Sequence, residues 1–120
     1  MSETVAMDME STVMALIIFA GEARSESMEA LRAARNREWL KADALLAAAS
    51  DAARQAHRIQ TQLIGADEGV GKIPVNLIMV HAQDHLMNAM LCRELVEEII
   101  VLYREIDTLK HPGEACGQKP

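Results

Sequence analysis

Apolar residues recur at helical spacing along most of this chain. Val13, Leu16, Ile17, Ala20, Ala23 and Arg24 follow i, i+3, i+4 steps, and Met28 and Leu31 continue the stripe. A first helix is predicted from about Thr4 to Ala34, with Asp8 or Ser11 placed to cap its strongest part. The stripe fades after Leu31 and returns at Trp39, so the break falls in "RNRE", where Asn36 is the turn-former. A second helix is predicted from about Glu38 to Ile64. Its stripe is made of small residues: Leu40, Ala44, Ala47, Ala48, Asp51, Ala52, Gln55 and Ile59, with Leu45, Leu46 and Leu63 nearby. The segment "GADEGVGKIP" holds Gly65, Gly69, Gly71 and Pro74 and reads as a loop. Pro74 suits the first turn of a third helix, where its missing N–H would be unpaired anyway. That helix is predicted to end at about Leu109, before "HPGEACGQKP".

No strand alternation or internal repeat accompanies these segments. The fold class is therefore all-α, a three-helix antiparallel bundle per chain. One domain is expected over 1–110, with 111–120 as a disordered C-terminal tail.

The third helix carries more apolar surface than a monomer needs. One series runs Leu77, His81, Asp84, Asn88, Leu91, Leu95, Ile99, Leu102, Ile106 and Leu109, mostly in alternating steps of four and three, as in a coiled-coil seam. A second runs Ile78, Ala82, His85, Ala89, Val96, Ile100 and Tyr103. A surface helix in a monomer presents about one such stripe. The other is expected to face another copy of the chain, with helix three near the symmetry axis.

Composition narrows the setting. Half of the 120 residues are apolar but only 2% are aromatic, so the core must be built from aliphatic side chains, Met and Ala. A net charge of −6 lacks the basic footprint that nucleic acid requires. Cys92 and Cys116 form no disulfide framework or thiolate cluster, which suggests a reducing, cytoplasmic compartment. No secretory pattern is evident, and the apolar run "VMALIIFA" is far short of the ~20 residues of a membrane span, so no membrane insertion is expected.

The chemistry-bearing stretch is "VHAQDHLMNAML", Val80 to Leu91. His81 and His85 are four apart, so both could bind one metal from one helix face, with His57 as a third ligand in a small zinc protein. "HAQDH" even follows the H-x-x-E-H order of one metalloprotease group, with Asp as a shorter base. Alternatively, neutral imidazole is a good nucleophile near pH 7, and a neighbour such as Gln83 or Asp84 could fix its tautomer. A solvated polar face is the plain alternative to both. Asp84 and Asn88 sit on the long seam. Copies of Asp84 meeting on an axis would repel and would take up protons or bind a hard cation such as Mg²⁺; a wet groove fits the spacing equally well.

"VHAQDHLMNAMLCREL" resembles the IIA component of the lactose/N,N′-diacetylchitobiose (cellobiose) class of the sugar phosphotransferase system. "VMALIIFAGEARSESMEALRAAR" resembles that family's first helix. "AHRIQTQLIGADEGVGKIPVNLIMVHAQDHLM" resembles the end of its second helix, the Gly-rich loop and the active helix. The resemblance spans about Ser11 to Leu109. It departs at the first hairpin, where the family usually carries Gly and this chain has "RNREW".

The resemblance implies a homotrimer forming a nine-helix bundle. It implies His81 as the phosphorylated histidine and Asp84 as the ligand of one divalent cation per trimer, such as Mg²⁺. His85 would help shape the groove, and His57, with Gln60 and Thr61, would line the groove or serve structure; Gln83 is a supporting candidate by its chemistry and its place beside His81. It implies the carrier HPr as phosphoryl donor and a cysteine of a IIB component as acceptor. The transported sugar would be a β-disaccharide of the cellobiose, chitobiose or lactose type. Arg93 and Glu94 read as solvated or interface charges and Cys92 as packing. Met79, Met87 and Met90 flank the motif, where soft side chains suit a surface that meets two partners.

Overall fold

The computed structural model describes residues 8–113. They form three helices, α1 (Met9–Arg35), α2 (Trp39–Asp67) and α3 (Leu77–Lys110), and no strand occurs among the described residues. Helix α1 begins at Met9, later than the pattern suggests. Asp8 takes an extended backbone and accepts hydrogen bonds from Ser11 N (3.3 Å) and Ser11 Oγ (2.7 Å), so it is the N-cap. Those bonds, the hydroxyl's first, hold the Asp8 carboxyl below the ordinary carboxylate range. Thr4 and Cys116 lie outside the described residues, as do residues 114–120 of the expected tail.

Asn36 is the C-cap of α1, and its N–H reaches the carbonyls of Arg32 and Ala33. Arg37 follows with φ +61°, the left-handed region that glycine favours. This is the "RNREW" hairpin, where the sequence departs from the family that it resembles. Arg37 Nε donates to Asp107 Oδ1 at 2.5 Å, tying the hairpin to the far end of α3.

Side-chain pairs fix the helix directions. Gln60 pairs with Gln83, Ser50 with Arg93 and Asp43 with Arg104, so α2 and α3 run antiparallel. Gly21 lies beside His85 and Arg37 beside Asp107, so α1 and α3 run parallel. Helix α1 packs along both other helices, whereas α2 and α3 touch sparsely.

Two core clusters result. One gathers Leu16, Ala20, Ala23, Ala56, Leu63 and Leu86 beneath the His81 motif. The other gathers Ala30, Ala34, Ala42, Val96 and Ile100 around Trp39, which is 1% exposed. Alanine at so many contact positions lets the backbones approach closely. The Arg104 guanidinium lies 4.9 Å from the centroid of the Trp39 ring and donates to Asp43.

The predicted α2 stripe holds only in part: Ala52 is buried and Ala48 and Ile59 are half-buried, but Leu40, Ala44, Ala47, Asp51 and Gln55 are exposed, and the buried series is Trp39, Ala42, Ala49, Ala52, Ala56 and Leu63. Alanines on both faces carry no phase, and the one large ring sets it. Helix α2 also continues through Gly65 to Asp67, where Glu68 turns to φ +56° and its N–H closes on Gly65 O. The Asp67 carboxylate accepts from Gly71 N (3.3 Å) and Ile73 N (3.0 Å), which folds the loop back on the helix end. Helix α3 starts at Leu77 rather than Pro74. Asn76 is the N-cap, accepting from Met79 N at 3.1 Å, because its carboxamide satisfies a first-turn donor.

Candidate functional site

The two stripes of α3 separate in the structure. Ala82, Ala89, Val96 and Ile100 are buried against α1 and α2. Only the first member of that series, Ile78, is exposed, at the helix end. The long seam faces away from the core: Leu77, Leu91, Leu95, Ile99, Leu102, Ile106 and Leu109 are 38% to 84% exposed. From Leu91 to Leu109 this spacing gives an unbroken exposed apolar strip of about 27 Å, the kind of surface that marks an interaction site. The first half of the seam carries its polar members, His81, Asp84 and Asn88, all exposed.

His81 and His85 stack with ring centroids 5.9 Å apart and planes inclined by 18°. His81 is exposed and His85 half-buried. His85 owes its position to Gly21 of α1: a Cβ built there would lie 3.3 Å from His85 Nε2. Glycine inside a long helix is unfavourable by about 1 kcal/mol relative to alanine. Here it makes room for the ring on which His81 stacks. Sequence reasoning placed Gly21 in the first-helix resemblance but not against His85; a glycine within a strong helical stripe was the available signal.

Gln83 stands apart from His81. Two residues along a helix point roughly 200° away from each other, and Gln83 turns instead to α2. Gln60 Nε2 donates to Gln83 Oε1 at 2.6 Å, and Gln83 Nε2 lies 4.0 Å from Met79 Sδ. Gln83 therefore does not set the His81 tautomer within its own chain. His57 is likewise removed. It is exposed on α2 and lines a shallow groove of about 440 Å³ with Arg54, Arg58 and Met90. It does not join His81 and His85, and among the described residues no group of three His, Cys, Asp or Glu side chains could hold a metal ion. The zinc site built on His81, His85 and His57 is thus not formed.

A wider apolar groove of about 540 Å³ separates the end of α2 from the start of α3. Ile64, Val75, Val80 and Met87 line it, with Gln83 and Asp84 among its polar members. Cys92 is half-buried against the Trp39 cluster, as a packing residue would be. Arg93 bonds Ser50 and Glu97, so it bridges α3 to α2, while Glu94 is exposed. No helix among the described residues is long and apolar enough to cross a membrane.

The family model described as PTS system, lactose/cellobiose-specific IIA subunit, matches residues 11–104. The chain is 44% identical over 105 residues to the N,N′-diacetylchitobiose-specific EIIA component of Escherichia coli K12, covering 88% of this chain and 90% of that one. The cellobiose-specific enzyme IIA of Bacillus anthracis superposes with a TM-score of 0.79 at 37% identity, over 90% of this chain and 95% of that one. The IIA(chitobiose) of the Escherichia coli phosphotransferase system, solved in complex with HPr, superposes with a TM-score of 0.74 at 42% identity, over 84% and 98% of the two chains.

Proposed function

The chain belongs to the lactose/cellobiose-specific IIA family of the phosphotransferase system, and from that membership we propose that it carries phosphoryl groups from HPr to a sugar-specific IIB component in the cytoplasm. His81 is the carrier residue. The observation that carries this reading is an exposed imidazole on a rigid helix, stacked on a half-buried second histidine. Stacking and the Gly21 contact hold the site ready, so little order has to be imposed when a partner docks.

Transfer proceeds by two displacements. A ring nitrogen of neutral His81 attacks the phosphorus of phospho-HPr; the new N–P bond forms as the N–P bond of HPr breaks, and the HPr imidazole leaves neutral. A IIB cysteine thiolate then attacks the same phosphorus, and the His81 imidazole leaves in turn. The attacking and leaving groups are each good nucleophiles, so positioning and charge neutralisation account for most of the catalysis. The exposed apolar residues Met14 and Ile18 of α1 and Ile78 of α3 lie on elements around the two histidines and suit docking to partners by apolar contact.

The assembly is a homotrimer with three α3 helices at its centre, a nine-helix bundle. The exposed seam supports this, since association removes it from water at roughly 25 cal/mol per Å². On that axis Asp84 meets its copies, with Asn88 one turn further on. These oxygen donors fit one hard divalent cation such as Mg²⁺ per trimer. Bound there, the cation would offset the mutual repulsion of the three carboxylates.

The sugar is a β-disaccharide of the kind named for the relatives. Incubation with phospho-HPr tests the carrier reading. It requires an acid-labile phosphoryl group on this chain that a IIB component then discharges. A chain that takes up no phosphoryl group would overturn it.

A further inference from the structure

We infer that Gln60 is a positioning residue for phosphoryl transfer, acting through Gln83 on the His81 of the neighbouring subunit. The inference rests on the trimeric carrier reading. Each residue along a helix turns by about 100°. From Asp84, His81 therefore lies about 60° away in one sense and Gln83 about 100° away in the other. With Asp84 turned to a threefold axis, the His81 flank of one chain must face the Gln83 flank of the next. The two flanks form the walls of one groove, and symmetry keeps them at the same height along α3.

The Gln83 wall is built by α2. Gln60 Nε2 donates to Gln83 Oε1 at 2.6 Å, and the same amide nitrogen lies 4.0 Å from Met87 Sδ. Both glutamines are half-buried. A free glutamine carboxamide can turn over and exchange its oxygen for its nitrogen at little cost. Held by Gln60, the Gln83 oxygen is engaged; one N–H of its NH₂ is directed at Met79 Sδ, 4.0 Å away, and the second remains as the donor for anionic oxygens. A phosphoryl group on the neighbour's His81 presents such oxygens across the groove, and a donor fixed in advance serves transfer better than one that must be turned. Little else joins α2 to this stretch of α3, since the two helices touch sparsely.

The test is a double-mutant cycle in single-turnover transfer from phospho-HPr, with the trimer mass and Tm of each variant measured. Gln60→Ala should lower the rate at saturating phospho-HPr by about threefold to tenfold, the effect of one lost hydrogen bond. The half-saturating HPr concentration should not move. Gln60→Glu keeps the shape but not the donor, and should show a similar loss. In a Gln83→Ala background, Gln60→Ala should have no further effect, because its action passes through Gln83. A wild-type rate for Gln60→Ala would overturn the inference, as would an undiminished loss in the Gln83→Ala background or a loss explained by trimer dissociation. Failure of the unsubstituted chain to accept any phosphoryl group would instead overturn the carrier reading, and this inference with it.

Discussion

Nε2 of His85 stands 3.3 Å from the point where a Cβ on Gly21 would sit. That contact is tighter than ordinary van der Waals packing, and it seats the ring on which His81 stacks at 5.9 Å. Gly21→Ala should therefore tilt His85 and loosen the stack while α1 itself gains helix propensity. Phosphoryl transfer should fall by about twofold to tenfold with Tm little changed, since displacements well under 1 Å suffice to lower rates. Transfer rate and Tm, measured together, check this; an unaltered rate would mean that His85 does not position His81.

Arg37 holds a left-handed backbone and donates to Asp107, whose side chain is 5% exposed. Removing the guanidinium takes a close partner from a buried carboxylate. Arg37→Ala should destabilise by about 2 kcal/mol, less than a fully buried pair because His111 remains 3.9 Å away. Arg37→Gly should lose less, since glycine relaxes the backbone by roughly 1 kcal/mol. Thermal melts at one fixed protein concentration separate the two.

Glu26 Oε1 is buried without a hydrogen-bond partner. Burial first, then the charges of Glu22, Glu29 and Asp51, raises the Glu26 carboxyl above its ordinary value. The folded state thus holds this proton more tightly than the unfolded chain. The ionised form opposes folding at neutral pH, and the penalty fades as pH falls through the raised value towards the unfolded one. Glu26→Gln should raise Tm slightly at pH 7, with the gain shrinking as pH falls through the raised value. A gain that persists unchanged to pH 3 would contradict this origin.

In the proposed trimer, Asp84→Asn should leave the assembly intact and abolish any rise in Tm on adding Mg²⁺, because three neutral carboxamides would no longer need a cation. A phosphoryl group on His81 adds negative charge near these carboxylates. The transfer rate of a trimeric Asp84→Asn preparation should therefore differ from that of the unsubstituted chain, and an equal rate would sink that coupling. Leu95→Asp or Ile99→Asp, by contrast, should dissociate the trimer, as sedimentation equilibrium would show.

Much of α3 was legible because Leu, Ile and Val mark phase clearly, and the two stripes separate in the fold as their spacing suggests. Helix α2 was legible as a helix but not in its facing, since Ala44, Ala47, Ala49 and Ala52 look alike from sequence. Asn76 caps α3 where Pro74 was the expected start, because its carboxamide oxygen accepts from Met79 N. His81, Asp84 and His85 could be picked out from one motif. The pairing of Gln60 with Gln83 could not, because it depends on the register between two helices that the loop from Glu68 to Asn76 joins. His57, a candidate third ligand by sequence, lines a separate groove with Arg54, Arg58 and Met90.

The central claim is that His81 alone carries the phosphoryl group. Mass spectrometry of the intact chain after incubation with phospho-HPr tests it most directly, with His81→Ala, His85→Ala and His57→Ala measured alongside. One added phosphoryl group per chain is expected, absent in His81→Ala and still acquired, at a reduced rate for His85→Ala, in the other two. Retention of the group by His81→Ala, or its loss in His57→Ala with the trimer intact, would contradict the account.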